Sequence, residues 1–215
     1  MNNEINEFLF KAGADIVRIV DISNLLSGQT QGYASAVVFC IGFPKDFIMA
    51  VRDGELSGRE FADMEKETDE IADRLAEYLR GKGHKAYSQS EESHDQYGNI
   101  DDDTLTSILP HKTIARLAGI GYVGKNCLIV SKEFGCAFSM CTVLTDAPVE
   151  PESHSIVSSG CGDCEVCKDV CPADAIFGNE WSESVGRDTV VDVFKCDCAI
   201  KCIVNCPKTL EYALR

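Results

Sequence analysis

The sequence predicts an α/β domain over residues 1–150, followed by a small cysteine-rich module over residues 156–215. Helical and strand-like hydrophobic patterns alternate along the first part, which is typical of α/β domains. The segment from Pro148 to Ser159 then turns polar, contains two prolines and loses all periodicity. Eight of the twelve cysteines follow it. We interpret this segment as a linker between two domains.

The first elements follow from local patterns. We expect a helix over residues 3–12 and strands at DIVRIVDI and SAVVFCIGF, the second with the continuous apolar run of a buried strand. A long helix is predicted over residues 57–81, because Ser57 can cap it, Glu60 stands three residues on, and Gly81 and Gly83 stop it. Its apolar face comprises Phe61, Met64, Ile71, Leu75, Tyr78 and Leu79.

The rest of the α/β domain continues the alternation. We expect a strand near HKAYSQ, an acidic polar stretch from Glu91 to Asp103, a helix at HKTIARLA, and strands at CLIVS and CTVLTD. With 215 residues, 45% of them hydrophobic, the chain can bury a substantial core.

Charge and hydropathy exclude several classes of function. Twenty basic against 35 acidic residues give a net charge of −15, which argues against nucleic acid as a direct partner. The N-terminal segment carries Glu4 and Glu7 and lacks the apolar core of a signal peptide, and no apolar run is long enough to span a membrane. We therefore expect a cytoplasmic protein. Because a reducing compartment disfavours disulfides, metal binding is the leading explanation for twelve cysteines.

A glycine-rich segment, GIGYVGKN from Gly119 to Asn126, fits two nucleotide-binding templates, G-x-G-x-x-G and G-x-x-x-x-G-K. Both templates need a strand before the loop and a helix after it. Here a helix precedes and a strand follows, and Asn126 occupies the place of the hydroxyl that would bind magnesium. The pattern favours a glycine turn that permits close backbone approach, and not a nucleotide loop.

The cysteine-rich module carries the strongest signal. CGDCEVCKDVCP has the spacing C-x-x-C-x-x-C-x-x-x-C-P, the ferredoxin-type ligand run of a 4Fe-4S cluster. Its fourth cysteine ligates the other cluster in two-cluster proteins, so a second group is predicted downstream. KCDCAIKCIVNCP provides that group, although its first spacing departs from x-x. The crossed pattern assigns cluster 1 to Cys161, Cys164, Cys167 and Cys206, and cluster 2 to Cys171, Cys196, Cys198 and Cys202.

Two simpler interpretations compete with iron-sulfur ligation for the cysteines. Structural zinc also uses four cysteines, but usually as two C-x-x-C pairs without the cysteine-proline ends seen here. The other four cysteines lie in apolar segments, where a free cysteine is usually a small buried hydrophobic residue. They are Cys40, Cys127, Cys136 and Cys141. Among the histidines, only His111 lies beside the helix of the glycine segment, and a surface or capping role is a simpler interpretation of it than catalysis.

Residues 109–150, together with the cluster run, resemble the iron-sulfur family of epoxyqueuosine reductases. The shared marks are AG-x-G-x-x-GKN, a strand, the turn at Phe134 and Gly135, the LTD of residues 144–146, and then the cysteines. GADIVRIVDIS and AVVFCIGFP extend a weaker likeness over nearly the whole chain.

The resemblance implies a nitroreductase-like α/β domain, here truncated, followed by a ferredoxin-like module. It also implies a cobalamin-dependent reductase related to reductive dehalogenases, in which two 4Fe-4S clusters pass single electrons to a corrinoid. On this interpretation Gly121, Gly124, Lys125 and Asn126 are candidate cofactor contacts. Glycine admits a bulky ligand, and the lysine can pair with amide or phosphate oxygens.

The sequence also departs from the family. The enzymes that reduce epoxyqueuosine carry an aspartate proton donor three residues before a proline, and here that position is Ser107. Asp103 is the nearest substitute and the candidate catalytic residue. The chain reaches Arg215 without the helical repeats that help the full enzymes engage transfer RNA, which, with the acidic charge, argues against a tRNA substrate.

Three functions remain open at this point. In the first, the chain is an oxidoreductase that reduces a cofactor or small substrate on its α/β domain. An electron-donor protein or another reductant supplies the electrons. Alternatively the chain is an electron-transfer protein that reduces a partner such as a corrinoid protein. In the third interpretation the clusters only stabilise the fold of the C-terminal region or act as a sensor. We favour the first, because it explains the size of the N-terminal domain.

Overall fold

The computed structural model describes residues 1–57 and 60–215. The chain divides into two compact units, and each is assembled from three segments. The first, the sheet unit, comprises Met1–Ile41, Met64–Ala118 and Ser139–Ser155. The second, the cysteine unit, comprises Gly42–Asp63, Gly119–Phe138 and Ile156–Arg215. This division differs from the expected ranges 1–150 and 156–215, because two internal segments group with the cysteine-rich end.

The elements are as follows. The helices are α1 (Asn2–Lys11), α2 (Ser27–Thr30), α3 (Lys45–Asp53), α4 (Phe61–Gly81), α5 (Glu91–Tyr97), α6 (His111–Leu117), α7 (Val166–Asp169), α8 (Lys201–Val204) and α9 (Pro207–Ala213). The strands are β1 (Ile16–Asp21), β2 (Ser35–Gly42), β3 (Ala86–Ser88), β4 (Ile100–Asp101), β5 (Thr106–Ser107), β6 (Gly121–Val123), β7 (Ile129–Ser131) and β8 (Phe138–Thr145).

A sheet with the strand order β1-β2-β8-β3 organises the sheet unit. β1 runs antiparallel to β2 with Ile16 opposite Cys40, and β3 runs antiparallel to β8 with Ala86 opposite Thr145. Helices α1 and α4 supply apolar faces to the same core as these strands. Its fully buried members include Ile5, Leu9, Val37, Phe39, Ala72, Leu75, Leu79, Cys141 and Val143. The alternating patterns thus mark a mixed α/β fold.

Most of the expected elements are present, and the differences include the following three. Helix α4 begins at Phe61, so Ser57 does not stand at its N-cap position. Helix α3 was not expected. Its sequence signals are the flanking residues, Pro44 before its first residue and Gly54 after its last. Helix α5 lies within the acidic polar stretch, where no helix was expected. It begins where the Ser90 hydroxyl accepts the Ser93 N–H at 3.3 Å.

In the cysteine unit, β6 and β7 form an antiparallel hairpin with Tyr122 opposite Val130. Helix α3 packs against α8 and α9. The Lys201 ammonium donates to the Val51 carbonyl at 2.6 Å, and the Tyr212 hydroxyl donates to the Phe43 carbonyl at 2.9 Å. These contacts explain why residues 42–63 group with the cysteine-rich end. Across the described residues, no helix combines the length and the apolar character needed to cross a membrane.

Candidate cluster-binding site

The eight cysteines of the predicted ligand set all lie in the cysteine unit, on short helices and the loops between them. Cys167 is in α7, Cys202 is in α8, and Cys206 is the N-cap residue of α9. Pro207 occupies the first position of α9, where its fixed φ angle suits a helix start and its missing N–H costs nothing. The cysteine-proline end of the motif therefore begins a new helix directly after a ligand.

The thiol of Cys167 lies near three other thiols of the predicted ligand set. Burial, followed by the nearby thiols of Cys161, Cys206 and Cys164, raises its pKa to about 11. These four residues are the set assigned to cluster 1 by the crossed pattern. Residues 161–167 come from the triple cysteine run and Cys206 from the far end of the chain, as crossing requires.

Cys202 has a second group of neighbours. Burial raises the pKa of its thiol to about 12, and Cys167, Cys196 and Cys171 contribute to the same rise. Cys171 and Cys196 belong to the set assigned to cluster 2, while Cys167 belongs to cluster 1. Between Cys196 and Cys202 the backbone turns sharply, since Cys198 and Ile200 have φ angles of 54° and 47°.

Hydrogen-bond donors surround two of the sulfur atoms, those of Cys171 and Cys206. The Ala175 N–H donates to Cys171 Sγ at 3.4 Å. A hydrogen bond from Cys136 lowers the pKa of Cys206 to about 6, helped by the backbone N–H groups of Thr209 and Lys208 and opposed by burial. Hydrogen bonds to cysteine sulfur are the protein's usual means of supporting an iron-sulfur cluster. The residues present therefore fit this group, and the ligand assignment stays a prediction.

Within the described ranges, no three histidine, cysteine or carboxylate side chains lie close enough together to hold one metal ion. That condition applies to a mononuclear site such as structural zinc. In a cubane each cysteine binds a different iron, so its ligands surround a larger volume.

The glycine segment forms part of the β6–β7 hairpin. A side chain at Gly121 would overlap the Val130 carbonyl, and one at Gly124 would lie 2.8 Å from Val130 Cγ2. Both glycines are thus required by the chain's own packing. A helix precedes the segment and strand β7 follows it, the reverse of a nucleotide loop, as expected. Lys125 and Asn126 are each 8% exposed, and contact of these four residues with a cofactor remains a prediction.

Asp103 lies exposed in the turn between β4 and β5. The Asp101 carboxylate accepts its N–H at 3.0 Å, so Asp103 is one of the residues that shape a tight turn. Ser107, at the position of the family's aspartate, pairs with Ile100 in the same hairpin. A catalytic role for Asp103 rests on the resemblance alone.

Six polar side chains of the sheet unit, here called the polar cluster, form a network that sequence patterns did not reveal. They are Tyr87, Gln89, His94, Asn99, His111 and Thr142. Asn99 donates to the Tyr87 hydroxyl at 2.6 Å, and the rings of His94 and His111 lie 6.2 Å apart. Gln89 donates to the Leu109 carbonyl at 2.7 Å, while its buried Oε1 finds no partner among the described residues.

Acidic residues of α4 lie in the same unit. Burial, followed by repulsion from Asp69 and Glu91, raises the pKa of Glu65 to about 7. Burial also raises the pKa of Asp69, against a backbone hydrogen bond from Glu91 that lowers it. All four cysteines outside the predicted ligand set are buried, in line with the expected role as small hydrophobic residues.

Comparison with known proteins confirms the resemblance to epoxyqueuosine reductases. No protein-family profile matches the chain. The epoxyqueuosine reductase of Staphylococcus aureus is 35% identical over 74 residues, which are 34% of this chain and 19% of that protein. The enzyme of Lactococcus garvieae is 39% identical over 74 residues, 34% of this chain and 20% of that protein. The match thus covers about a fifth of each relative's length.

Solved structures share the fold over nearly the whole chain. Epoxyqueuosine reductase from Bacillus subtilis superposes with a TM-score of 0.62 at 18% identity, over 97% of this chain and 65% of that one. A reductive dehalogenase associated with B12-dependent dehalogenation superposes with a TM-score of 0.65 at 21% identity, over 93% of this chain and 28% of that one. An epoxyqueuosine reductase bound to a tRNA stem loop superposes with a TM-score of 0.59 at 17% identity, over 97% of this chain and 65% of that one. The mixed α/β fold is the fold of these reductases.

Proposed function

We propose that the chain is an iron-sulfur oxidoreductase similar to epoxyqueuosine reductases. In this proposal two 4Fe-4S clusters, bound by the cysteines of residues 161–206, pass electrons to a cofactor or small substrate on the α/β domain of residues 1–150. The observation that carries it is the grouping of Cys167 with Cys161, Cys164 and Cys206, the last of which is far from the others in sequence. A crossed two-cluster arrangement demands that grouping. A reducing compartment such as the cytoplasm suits twelve cysteines.

Cobalamin is the cofactor that we propose. The support is the fold shared with a reductase of B12-dependent dehalogenation. When bound, a corrinoid supplies a metal centre that changes its oxidation state one electron at a time. Among the candidate contacts of the glycine segment, the Lys125 ammonium is suited to amide or phosphate oxygens, and it is almost buried.

The polar cluster is the candidate substrate-facing part of the sheet unit. Burial lowers the pKa of His111 to about 4, so its imidazole is neutral at pH 7 and can both donate and accept a hydrogen bond. The unpartnered Gln89 Oε1 can accept a further hydrogen bond. These groups suit a small polar substrate. We propose that nucleic acid is not the substrate, because the net charge is −15, although one structural neighbour was solved with a tRNA stem loop.

The test is an anaerobic titration of the iron-reconstituted protein with cobalamin, in which the visible spectrum of the corrinoid is monitored. The clusters are then reduced by dithionite. The proposal predicts tight binding and transfer of electrons from the clusters to the corrinoid. A Cys164→Ser variant, which removes one ligand of cluster 1, should reduce the corrinoid more slowly than the wild type. No binding at high concentration would contradict the cofactor and favour an electron-transfer protein that reduces a partner.

A further inference from the structure

A ninth cysteine, Cys136, lies beside Cys206, a predicted ligand of cluster 1, and near Cys202, which is assigned to cluster 2. It belongs to the cysteine unit, is 3% exposed, and shares a hydrogen bond with Cys206. The spacing of the ligand runs did not reveal it, because Cys136 is 70 residues before Cys206 (206 − 136) in an apolar segment.

Two side chains hold Cys136 in place. The Asn126 amide donates from Nδ2 to Cys136 Sγ at 3.4 Å. The orientation of that amide is fixed, because its Oδ1 accepts the Leu128 N–H at 3.2 Å. On the other side, Thr209 Oγ1 accepts the Cys136 N–H at 3.2 Å and lies 3.4 Å from Cys136 Sγ.

This arrangement leaves the S–H of Cys136 with Thr209 Oγ1 and two further acceptors. One is the Ile203 carbonyl, 3.9 Å from Sγ, and the other is the sulfur of Cys206. An anionic sulfur attracts a donor more strongly than a neutral carbonyl does. Because Asn126 donates to the lone pairs of Cys136, the thiol proton points away from Asn126, to the side where Ile203, Thr209 and Cys206 lie.

The backbone that carries Cys136 is packed closely against the ligand. Gly135 has a φ of 61°, and a side chain there would overlap the backbone N of Thr209. Thr209 is itself fully buried and is hydrogen bonded to Cys206. The turn at residues 134–136 is therefore built against the start of α9, where Cys206 lies.

We propose that Cys136 is a positioning residue that donates its thiol hydrogen bond to Cys206, with Asn126 aligning it, and thereby raises the reduction potential of cluster 1. A donor to a ligand sulfur stabilises the more negative, reduced state of a cluster. Asn126 of the glycine segment then acts on the iron-sulfur cluster through Cys136. This inference rests on the proposed two-cluster function.

The test is an EPR-monitored redox titration of the reconstituted protein. Cys136→Ala should lower the midpoint potential of one cluster and leave the other unchanged, with full iron content. Cys136→Ser, which keeps an O–H donor, should restore most of the difference. Asn126→Ala acts on the same thiol from the other side and should lower the same potential by less. The matched control is Cys141→Ala, a buried cysteine of the sheet unit, which should move neither potential.

Three results would count against this inference. Unchanged potentials in Cys136→Ala and Asn126→Ala with full iron content would overturn it and leave the two-cluster function standing. Loss of one cluster's iron in Cys136→Ala would also overturn it, because Cys136 would then be a ligand. A wild-type protein that forms no 4Fe-4S cluster would overturn the proposed function, and this inference with it.

Discussion

The Nδ1 atom of His111 lies 3.0 Å from the hydroxyl oxygen of Thr142, a fully buried side chain of strand β8. Burial, and then the neighbouring His94, lower the pKa of His111 to about 4. The folded sheet unit therefore holds an imidazole that stays neutral where a free histidine would take up a proton. Stability must depend on pH as a result.

Acidification is expected to destabilise the protein through His111. Its pKa is about 6.5 in the unfolded chain and about 4 in the folded one, so only the unfolded state binds this proton between those values. Stability present above pH 6.5 is lost as the pH falls towards 4, by on the order of 2 kcal/mol. Urea denaturation of His111→Gln from pH 7 to 4.5 should show a shallower loss than the wild type. An equal loss in both proteins would contradict the assignment.

Glu65 is expected to act with the opposite sign. Because its folded pKa is raised to about 7, the folded state binds the extra proton, and stability falls as the pH rises from about 4.5 to 7. Glu65→Gln should therefore raise the free energy of unfolding at pH 8 but not at pH 4. Glu65 as a whole residue is exposed, although neighbouring groups surround its carboxyl group, so we expect only about 0.5 kcal/mol after solvent screening. Glu67→Gln, on the same helix and exposed, is the control; an equal gain there would refute a local effect.

Gly135→Ala is expected to destabilise the cysteine unit. The residue has a φ of 61°, and the added methyl group would overlap the backbone of Thr209. We expect a loss of about 3 kcal/mol, from left-handed backbone strain together with the steric clash. Gly54→Ala isolates the strain, because Gly54 has a φ of 83° and open space around it, and it should cost about 1 kcal/mol. Equal losses in thermal unfolding would show that the close packing at Gly135 is absent.

Cys164→Ser is expected to remove one cluster. Serine is a poor iron ligand, so about four of the iron atoms should be lost per chain, and much of the order of the cysteine unit with them. Cys141→Ser, outside the predicted ligand set, should keep its iron. Iron analysis beside circular dichroism measures both effects, and an unchanged iron count in Cys164→Ser would refute the ligand assignment.

Local patterns predicted the elements whose signals are contiguous in sequence. Helix α1 and strands β1 and β2 follow from periodicity, and the proposed cluster ligands follow from cysteine spacing. The polar cluster could not be predicted in this way, because His111 and Thr142 are 31 residues apart in sequence and come into contact only in the folded sheet unit. The grouping of residues 42–63 with the cysteine unit likewise depends on tertiary contacts such as that of Lys201 with Val51.

Cys136 shows the same limit within the candidate site. Its sequence context is that of an ordinary buried cysteine, and its neighbours Asn126, Thr209 and Cys206 come from other parts of the chain. Spacing identifies residues that bind one cluster from a single loop. It does not identify the groups that the fold brings to the ligands from elsewhere.

The most direct test of the account is the iron and acid-labile sulfide content of the anaerobically reconstituted chain, measured together with its EPR spectrum after reduction. Two 4Fe-4S clusters predict about eight iron and about eight sulfide per chain, with signals from two reduced clusters. About four of each would leave a single cluster and break the crossed assignment. Zinc without sulfide would contradict the redox function altogether.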